Sequence, residues 1–206
     1  TGQVTFTPTD KSYTGKVTPV KVQAESSNGI KVDTTYTPEI VPVTPTATPA
    51  ETTDIQGATQ TGKPEFKGGT VTVDGVEKTV EINEDVPATF DDGSTTKTVE
   101  GVGTYTVAAD GTVNFVPEKS FVGTAPAVTV VREDKNGTKA SATYTPTVLP
   151  VTPTATPAET TDIQGATQTG KPVFTEGDSR VPMNDDVPAT FDDGSTTKTV
   201  EGVGTF

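Results

Sequence analysis

Between residues 104 and 117 apolar and polar side chains alternate: Tyr105 and Val107, then Asp110-Gly111, then Val113 and Phe115. A period of two puts every second side chain on one face of a strand, and Asp-Gly between two such runs predicts a hairpin closed by a type I′ turn. A second pair of runs follows, "AVTVVRE" and "TKASATYTP", joined by "DKNG" with Asn136-Gly137 at the turn. Its inward set is Val128, Val130, Ala140, Ala142 and Tyr144, while Lys139, Ser141 and Thr143 face water. Val71, Val73, Val76, Val80 and Ile82 alternate around Asp74-Gly75 and predict an elongated hairpin over residues 68–82. No helical period occurs. Short strands with turn signals at this spacing predict an all-β chain, an antiparallel β-sandwich of immunoglobulin-like architecture.

The pattern recurs. "VTPTATPAETTDIQGATQTGKP" at residues 43–64 returns unchanged at 151–172, 108 positions later, and "DVPATFDDGSTTKTVEGVGT" begins at Asp85 and again at Asp186, 101 positions later. "VTFTP" at Val4 is echoed by "VNFVP" at Val113, and "NGIKVDTTYTP" at Asn28 by "NGTKASATYTP" at Asn136. The chain therefore reads as a window on a tandem array: residues 1–43 are the C-terminal part of a repeat, 44–150 a complete repeat, and 151–206 the N-terminal part of the next. A period near one hundred residues suits a small self-contained domain better than a solenoid unit. Each part-repeat lacks half its strands and is expected to be poorly ordered or to pair opportunistically. Pro42, Pro45 and Pro49 predict a stiff, extended linker. The "TTDIQGATQTG" that follows predicts an irregular edge strand with Ile55 as its one large apolar side chain. Between Phe66 and Phe90 lie 23 residues and between Phe174 and Phe191 only 16, so the elongated hairpin is a surface excursion that differs between copies.

Composition narrows the function. The chain has no cysteine and no histidine, which excludes disulfides, thiol catalysis, Cys or His metal sites and histidine bases. Fifteen basic against 28 acidic residues leave a net charge of −13, which disfavours nucleic acid and anionic lipid as partners. No apolar run approaches membrane-spanning length and the chain does not open on a signal segment, so any export signal is expected outside it. Threonine makes up roughly a fifth of the residues, and with valine it favours strands. Hydrophobic residues at 30% and aromatics at 6% predict a thin core of modest stability, close to the disordered range.

Acidic pairs stand at Glu84-Asp85, Asp91-Asp92 and Asp185-Asp186, the residue type a glycosidase or a calcium site needs. Neighbouring carboxylates on a strand point to opposite faces, and "DDG" is ordinary turn chemistry, so solvated turns are the expectation. "EDKNG" at 133–137 lacks the ligand spacing of an EF-hand and also reads as a turn. Asn136-Gly137-Thr138 matches a glycosylation sequon, but the hairpin explains the same residues; "TPTATPAETT" is read as a polar linker before an O-glycan carrier. Lysines, asparagines and acids occur throughout, yet no spacing selects an isopeptide pair. The sequence assigns no catalytic, cofactor-binding or metal-ligating residue and no cofactor.

The run from Gly111 to Pro172, "GTVNFVPEKSFVGTAPAVTVVREDKNGTKASATYTPTVLPVTPTATPAETTDIQGATQTGKP", followed by "VPMNDDVPATFDDGSTTKTVEGVGT", resembles the CshA-type fibril repeats of oral streptococcal surface adhesins, and the likeness covers essentially the whole chain. The resemblance implies a non-enzymatic stalk that projects an adhesive head from the cell surface, on a protein anchored to the cell wall through a region outside these residues. It implies neighbouring repeats of the same chain as partners, and host fibronectin or other bacteria as partners of the full-length adhesin. The alternative is that the repeats themselves bind host or bacterial surface ligands weakly and multivalently. Residues 1–43 and 68–82 depart most from the family pattern.

Overall fold

The computed structural model describes residues 2–206, which form two compact units, one ending at Leu149 and one beginning at Pro150. The first unit opens with β1 (Gly15–Lys16), β2 (Val20–Glu25), β3 (Lys31–Tyr36) and β4 (Glu39–Ile40). Strand β2 pairs with β3 and β1 with β4, both antiparallel. There follow β5 (Thr46–Thr48), β6 (Ala50–Ile55), β7 (Gln60–Gly62), β8 (Glu65–Lys67), β9 (Gly69–Val73), β10 (Val76–Val80), β11 (Thr89–Phe90), β12 (Thr96–Val99) and β13 (Gly103–Val107). The unit ends with β14 (Val113–Pro117), β15 (Gly123–Thr124), β16 (Val128–Glu133) and β17 (Lys139–Leu149). The second unit holds β18 (Thr154–Thr156), β19 (Val173–Thr175), β20 (Thr199–Val200) and β21 (Gly204–Thr205). No helix occurs among the described residues.

Residues 46–149 build a β-sandwich. One sheet runs β11, β16, β17, β6, with β15 continuing along the β16 side of β17; the other runs β12, β13, β14, β7. The alternating runs supply its core. Tyr105, Val113, Phe115, Val130 and Tyr144 have no exposed surface, and Phe90, Val107, Val128, Ala140, Ala142 and Val148 are buried beside them. The Tyr105 and Phe115 rings pack 4.6 Å apart at a tilt of 34°. Burying each of these large side chains contributes roughly 1.5–3 kcal/mol. Lys139, Ser141 and Thr143 are exposed, as the period of two predicts. Threonine's abundance is spent on the outward faces, where cross-strand hydroxyl pairs join Thr98 to Thr104 and Thr124 to Thr147, each at 3.1 Å.

Three expectations are corrected. The first concerns the linker. Only residues 41–45 and Pro49 of the proline-rich stretch lie outside strands; Thr46–Thr48 pairs with Glu65–Lys67, and Ala50–Ile55 lies in the sheet. Pro45 and Pro49 flank strands, where a missing N–H is tolerated. The second concerns direction: β6 runs parallel to β17 while the other pairs are antiparallel, because it is joined to β17 only through the whole intervening domain. The third concerns turn type. At Asp110-Gly111 only the glycine has positive φ, +89°. Ala108 N–H donates to Thr112 O and Gly111 N–H to Ala108 O, a three-residue loop ending in a left-handed glycine. The Asp110 carboxylate accepts the Thr112 N–H at 3.0 Å and fixes that form. The type I′ geometry occurs instead at Asp74-Gly75, with φ of +51° and +79°.

The duplicated phrase shows which contacts are local. β18 pairs with β19 in the register of β5 with β8, and β20 with β21 in that of β12 with β13. The counterparts of β6 and β7 are not strands: Ala158 and Thr160 are exposed, and Ile163 is 80% exposed where Ile55 is half-buried. The letters are the same, so the difference comes from β14 and β17, which have no counterpart downstream in the described residues. Amide exchange should separate the two copies. Protection is expected at Thr52, Asp54 and Gln60, whose N–H groups face β17 and β14, and near-random-coil exchange at Thr160, Asp162 and Gln168, read by NMR on the whole chain; equal protection would contradict this account.

Candidate functional site

The feature with the most specific chemistry is where the duplicated phrase meets β17. Thr52 on β6 donates its hydroxyl proton to Gln60 Oε1 on β7 at 2.6 Å. With that proton committed, the Tyr144 hydroxyl, 2.7 Å away, is the donor to Thr52 Oγ1. Gln60 Nε2 completes the circuit by donating to Thr147 O on β17 at 2.9 Å. Gln60 and Tyr144 are buried, and every member of the circuit is paired. Gly62 makes room for it: a Cβ there would lie 2.1 Å from the Tyr144 ring. Sequence reading found Tyr144 as core but missed Thr52, Gln60 and Gly62; their signal was the exact return of residues 43–64 at 151–172.

The acidic residues do not converge. Glu84 accepts from Arg132 at 2.9 Å, and Asp85 belongs to a turn in which its N–H donates to Asn83 Oδ1. Asp91 and Asp92 flank one lysine, Lys97, at 2.6 and 3.4 Å, and the Asp92 carboxylate accepts the Ser94 N–H. Asp186 repeats the turn of Asp85 through Asn184, and no hydrogen bond or ion pair is seen for Asp185. Asp134 was missed as a buried residue. It is fully buried, its Oδ1 accepting the N–H groups of Asn136 and Thr138, so "EDKNG" is a turn built on Asp134. No group of three or more carboxylates that could hold a metal ion occurs among the described residues.

Two adjoining grooves of about 740 and 520 Å³ lie beside the elongated hairpin and share Phe66, Lys67 and Glu84. Lys63, Lys67 and Arg132 in the smaller one are matched by Glu65, Glu84 and Asp110, so the lining has no dominant sign. A Lys63–Asp110 ion pair at 2.7 Å closes part of it. The Lys63 ammonium, then the Thr112 N–H and hydroxyl, hold the Asp110 carboxyl well below the ordinary range; Lys97 does the same for Asp91. Burial pushes the Tyr105 phenol up to about 12, helped by Tyr144.

The circuit ties β6 and β7 to β17, its hydroxyl, amide and phenol groups being engaged with one another and with the Thr147 carbonyl. A family model described as the surface adhesin CshA repetitive domain matches residues 1–40, 42–148 and 150–206. The chain belongs to the CshA repeat family. Among solved structures, the NMR structure of repeat domain 13 of the fibrillar adhesin CshA from Streptococcus gordonii is 58% identical, over 32% of this chain and 86% of that one, at a TM-score of 0.20. That likeness is one of sequence. No curated protein matches. Membership places these CshA repeats in a surface adhesin family, extracellular and at the cell surface, whose repeats are not an enzyme class. No helix long and apolar enough to cross a membrane occurs among the described residues.

Removing the Tyr144 hydroxyl (Tyr144→Phe) should cost about 1 kcal/mol, and Gln60→Leu about 1–3 kcal/mol because Thr147 O and the Thr52 hydroxyl each lose the bond to Gln60. Gly62→Ala should cost about 1–3 kcal/mol by overpacking, whereas Gly170→Ala, whose Cβ would make only ordinary contacts at 3.6 and 3.7 Å, should stay within about 0.5 kcal/mol. Urea unfolding of the whole chain measures all four.

The depressed carboxyls at Asp91 and Asp110 fix the sign of the acid response. A folded-state pKa below the unfolded value of about 3.9 gives stability that is present above that value and lost as pH falls through the folded one. The melting midpoint should be level from about pH 7 to 5 and fall below about pH 4, less steeply in Asp110→Asn; calorimetry across this range checks it.

Proposed function

We propose that residues 44–150 are one complete structural unit of an adhesin stalk, flanked by the C-terminal part of one unit in 1–43 and the N-terminal part of another in 151–206. The observation that carries this reading is the parallel pairing of the unit's first long strand with its last. Ala50 lies opposite Tyr144 and Ile55 opposite Leu149. The chain therefore enters β6 at one end of the pair and leaves β17 at the other, about 16 Å away at roughly 3.3 Å per residue. Units joined through such points add length in series, and the five residues 41–45 between strands leave little slack. The net charge of −13 keeps neighbouring stalks apart in solution. In this reading the stalk is anchored to the cell wall outside residues 1–206, has no catalytic role, and carries a separate head that engages host fibronectin or other bacteria. The mixed-charge grooves support a weaker second reading, in which the repeats make low-affinity multivalent contacts of their own.

Small-angle scattering on proteins of one, two and four complete repeats tests the first reading. Maximum dimension should rise linearly with repeat number; growth nearer its square root would mean loosely strung units and a tether instead of a stalk. A flat surface-plasmon response of one repeat to fibronectin at high concentration is the companion result expected.

A further inference from the structure

Arg132 is a buried cation at the end of an apolar core. On β16 it shares the inward face with Val128 and Val130, and its side chain is 7% exposed. Its Nη2 donates to Glu84 Oε2 at 2.9 Å, while Nε is buried with no hydrogen-bond partner. Nε–H and Nη2–H point to the same side of a guanidinium and together form a fork matched to the two oxygens of one carboxylate. Glu84 therefore fills half of that fork. Burying a guanidinium with an idle donor is costly, and the shared sequence does not demand it, because Ala24 stands at the corresponding position 108 residues earlier.

The surroundings of Arg132 are rigid on two sides and open on the third. Its Cδ and the Phe66 Cε2 lie 3.6 and 3.5 Å from where a Cβ on Gly111 would stand, so stem and ring pack against one turn. Phe66 is half-buried and packs on the aromatic core. Both side chains line the smaller groove, whose 520 Å³ falls within the range of small-ligand sites. Glu84 reaches in from solvent, its side chain 73% exposed, and an exposed partner of this kind is one that an incoming carboxylate can replace. Lys63 and Asp110, paired at 2.7 Å, and the exposed Glu65 complete a lining that offers donors and acceptors with no dominant sign.

We propose that this groove binds a carboxylated pyranose, a uronate-type sugar of a glycan, with its carboxylate on the Arg132 fork in place of Glu84. The C–H face of the ring lies against Phe66, and the hydroxyls exchange hydrogen bonds with Lys63, Glu65 and Asp110. An acidic side chain of a peptide would meet the guanidinium but leave those other groups unused. The site rests on the reading of weak multivalent contacts and supplies its ligand, while the stalk stands without it.

Amide chemical-shift titration of the 206-residue chain with methyl glucuronide, methyl glucoside and acetate tests the proposal. The glucuronide should shift Phe66, Glu84, Gly111 and Arg132 saturably at about millimolar concentration, and neither of the others should saturate in that range. Arg132→Gln should weaken the glucuronide at least about tenfold. Glu84→Gln, at an exposed position, should strengthen it about two- to fivefold, because the fork loses its resident carboxylate. No saturable shift with the glucuronide, or an equal one with glucoside or acetate, overturns the proposal. So does a Glu84→Gln chain that binds no more tightly than wild type, a result that decides the matter even where Arg132→Gln fails to fold. Saturable shifts confined to other residues overturn this site and leave weak contacts of the repeat standing; with no shift anywhere, the fibronectin response decides that wider reading.

Discussion

Everything in the complete repeat depends on one long-range pairing, β6 against β17. The six residue pairs from Ala50–Tyr144 to Ile55–Leu149 join the two ends of a domain of about one hundred residues. They hold Thr52 under the Tyr144 hydroxyl and bring Gln60 within reach of the Thr147 carbonyl. Without that pairing the second sheet loses β7, its edge strand, and the aromatic core loses the face that Gly62 opens to the Tyr144 ring. The chain carries its own control: residues 157–170 repeat residues 49–62 letter for letter, yet lie exposed without a strand among them.

The comparison separates two classes of interaction. Hairpins such as β2–β3 and β20–β21 close across short loops, at small entropic cost, and match β16–β17 and β12–β13 of the complete repeat. The sandwich requires sheet-to-sheet burial and the β6–β17 ladder, which close only when both halves of a repeat are present. A thin core makes this dependence sharp, because no single hairpin buries enough apolar surface to stand alone. The polar circuit, a clasp between the two ends of the repeat, closes only with β17 in place, since that strand supplies both Thr147 O for Gln60 Nε2 and the Tyr144 hydroxyl for Thr52.

Much of the sandwich was legible in the sequence because a period of two writes burial directly into the letters. Val113, Phe115, Val128, Val130 and Tyr144 were readable as core for that reason. The prolines misled in one respect: they mark the short connector at 41–45 but also flank strands, and propensity cannot tell a linker from an edge whose partner lies about a hundred residues away. The clasp was illegible for the same cause, since Thr52, Gln60 and Gly62 resemble linker residues until β17 is set against them. Asp110-Gly111 and Asp74-Gly75 show the limit for turns: the dipeptide announces a hairpin, while loop length and the Thr112 contact decide its type. The acidic pairs read correctly as turns: Glu84, Asp91 and Asp92 meet an arginine or a lysine, while Asp85 and Asp186 lie in turns where their own N–H groups donate to Asn83 and Asn184.

The parallel sense of β6 and β17 also decides how the domain meets tension. A pull applied where the chain enters and leaves slides these two strands past each other along their length, so all the ladder bonds between Ala50–Ile55 and Tyr144–Leu149 resist together. Antiparallel neighbours gripped at one shared end would instead peel apart bond by bond. A repeat wired in this way is gripped in shear whenever it is pulled from its two ends.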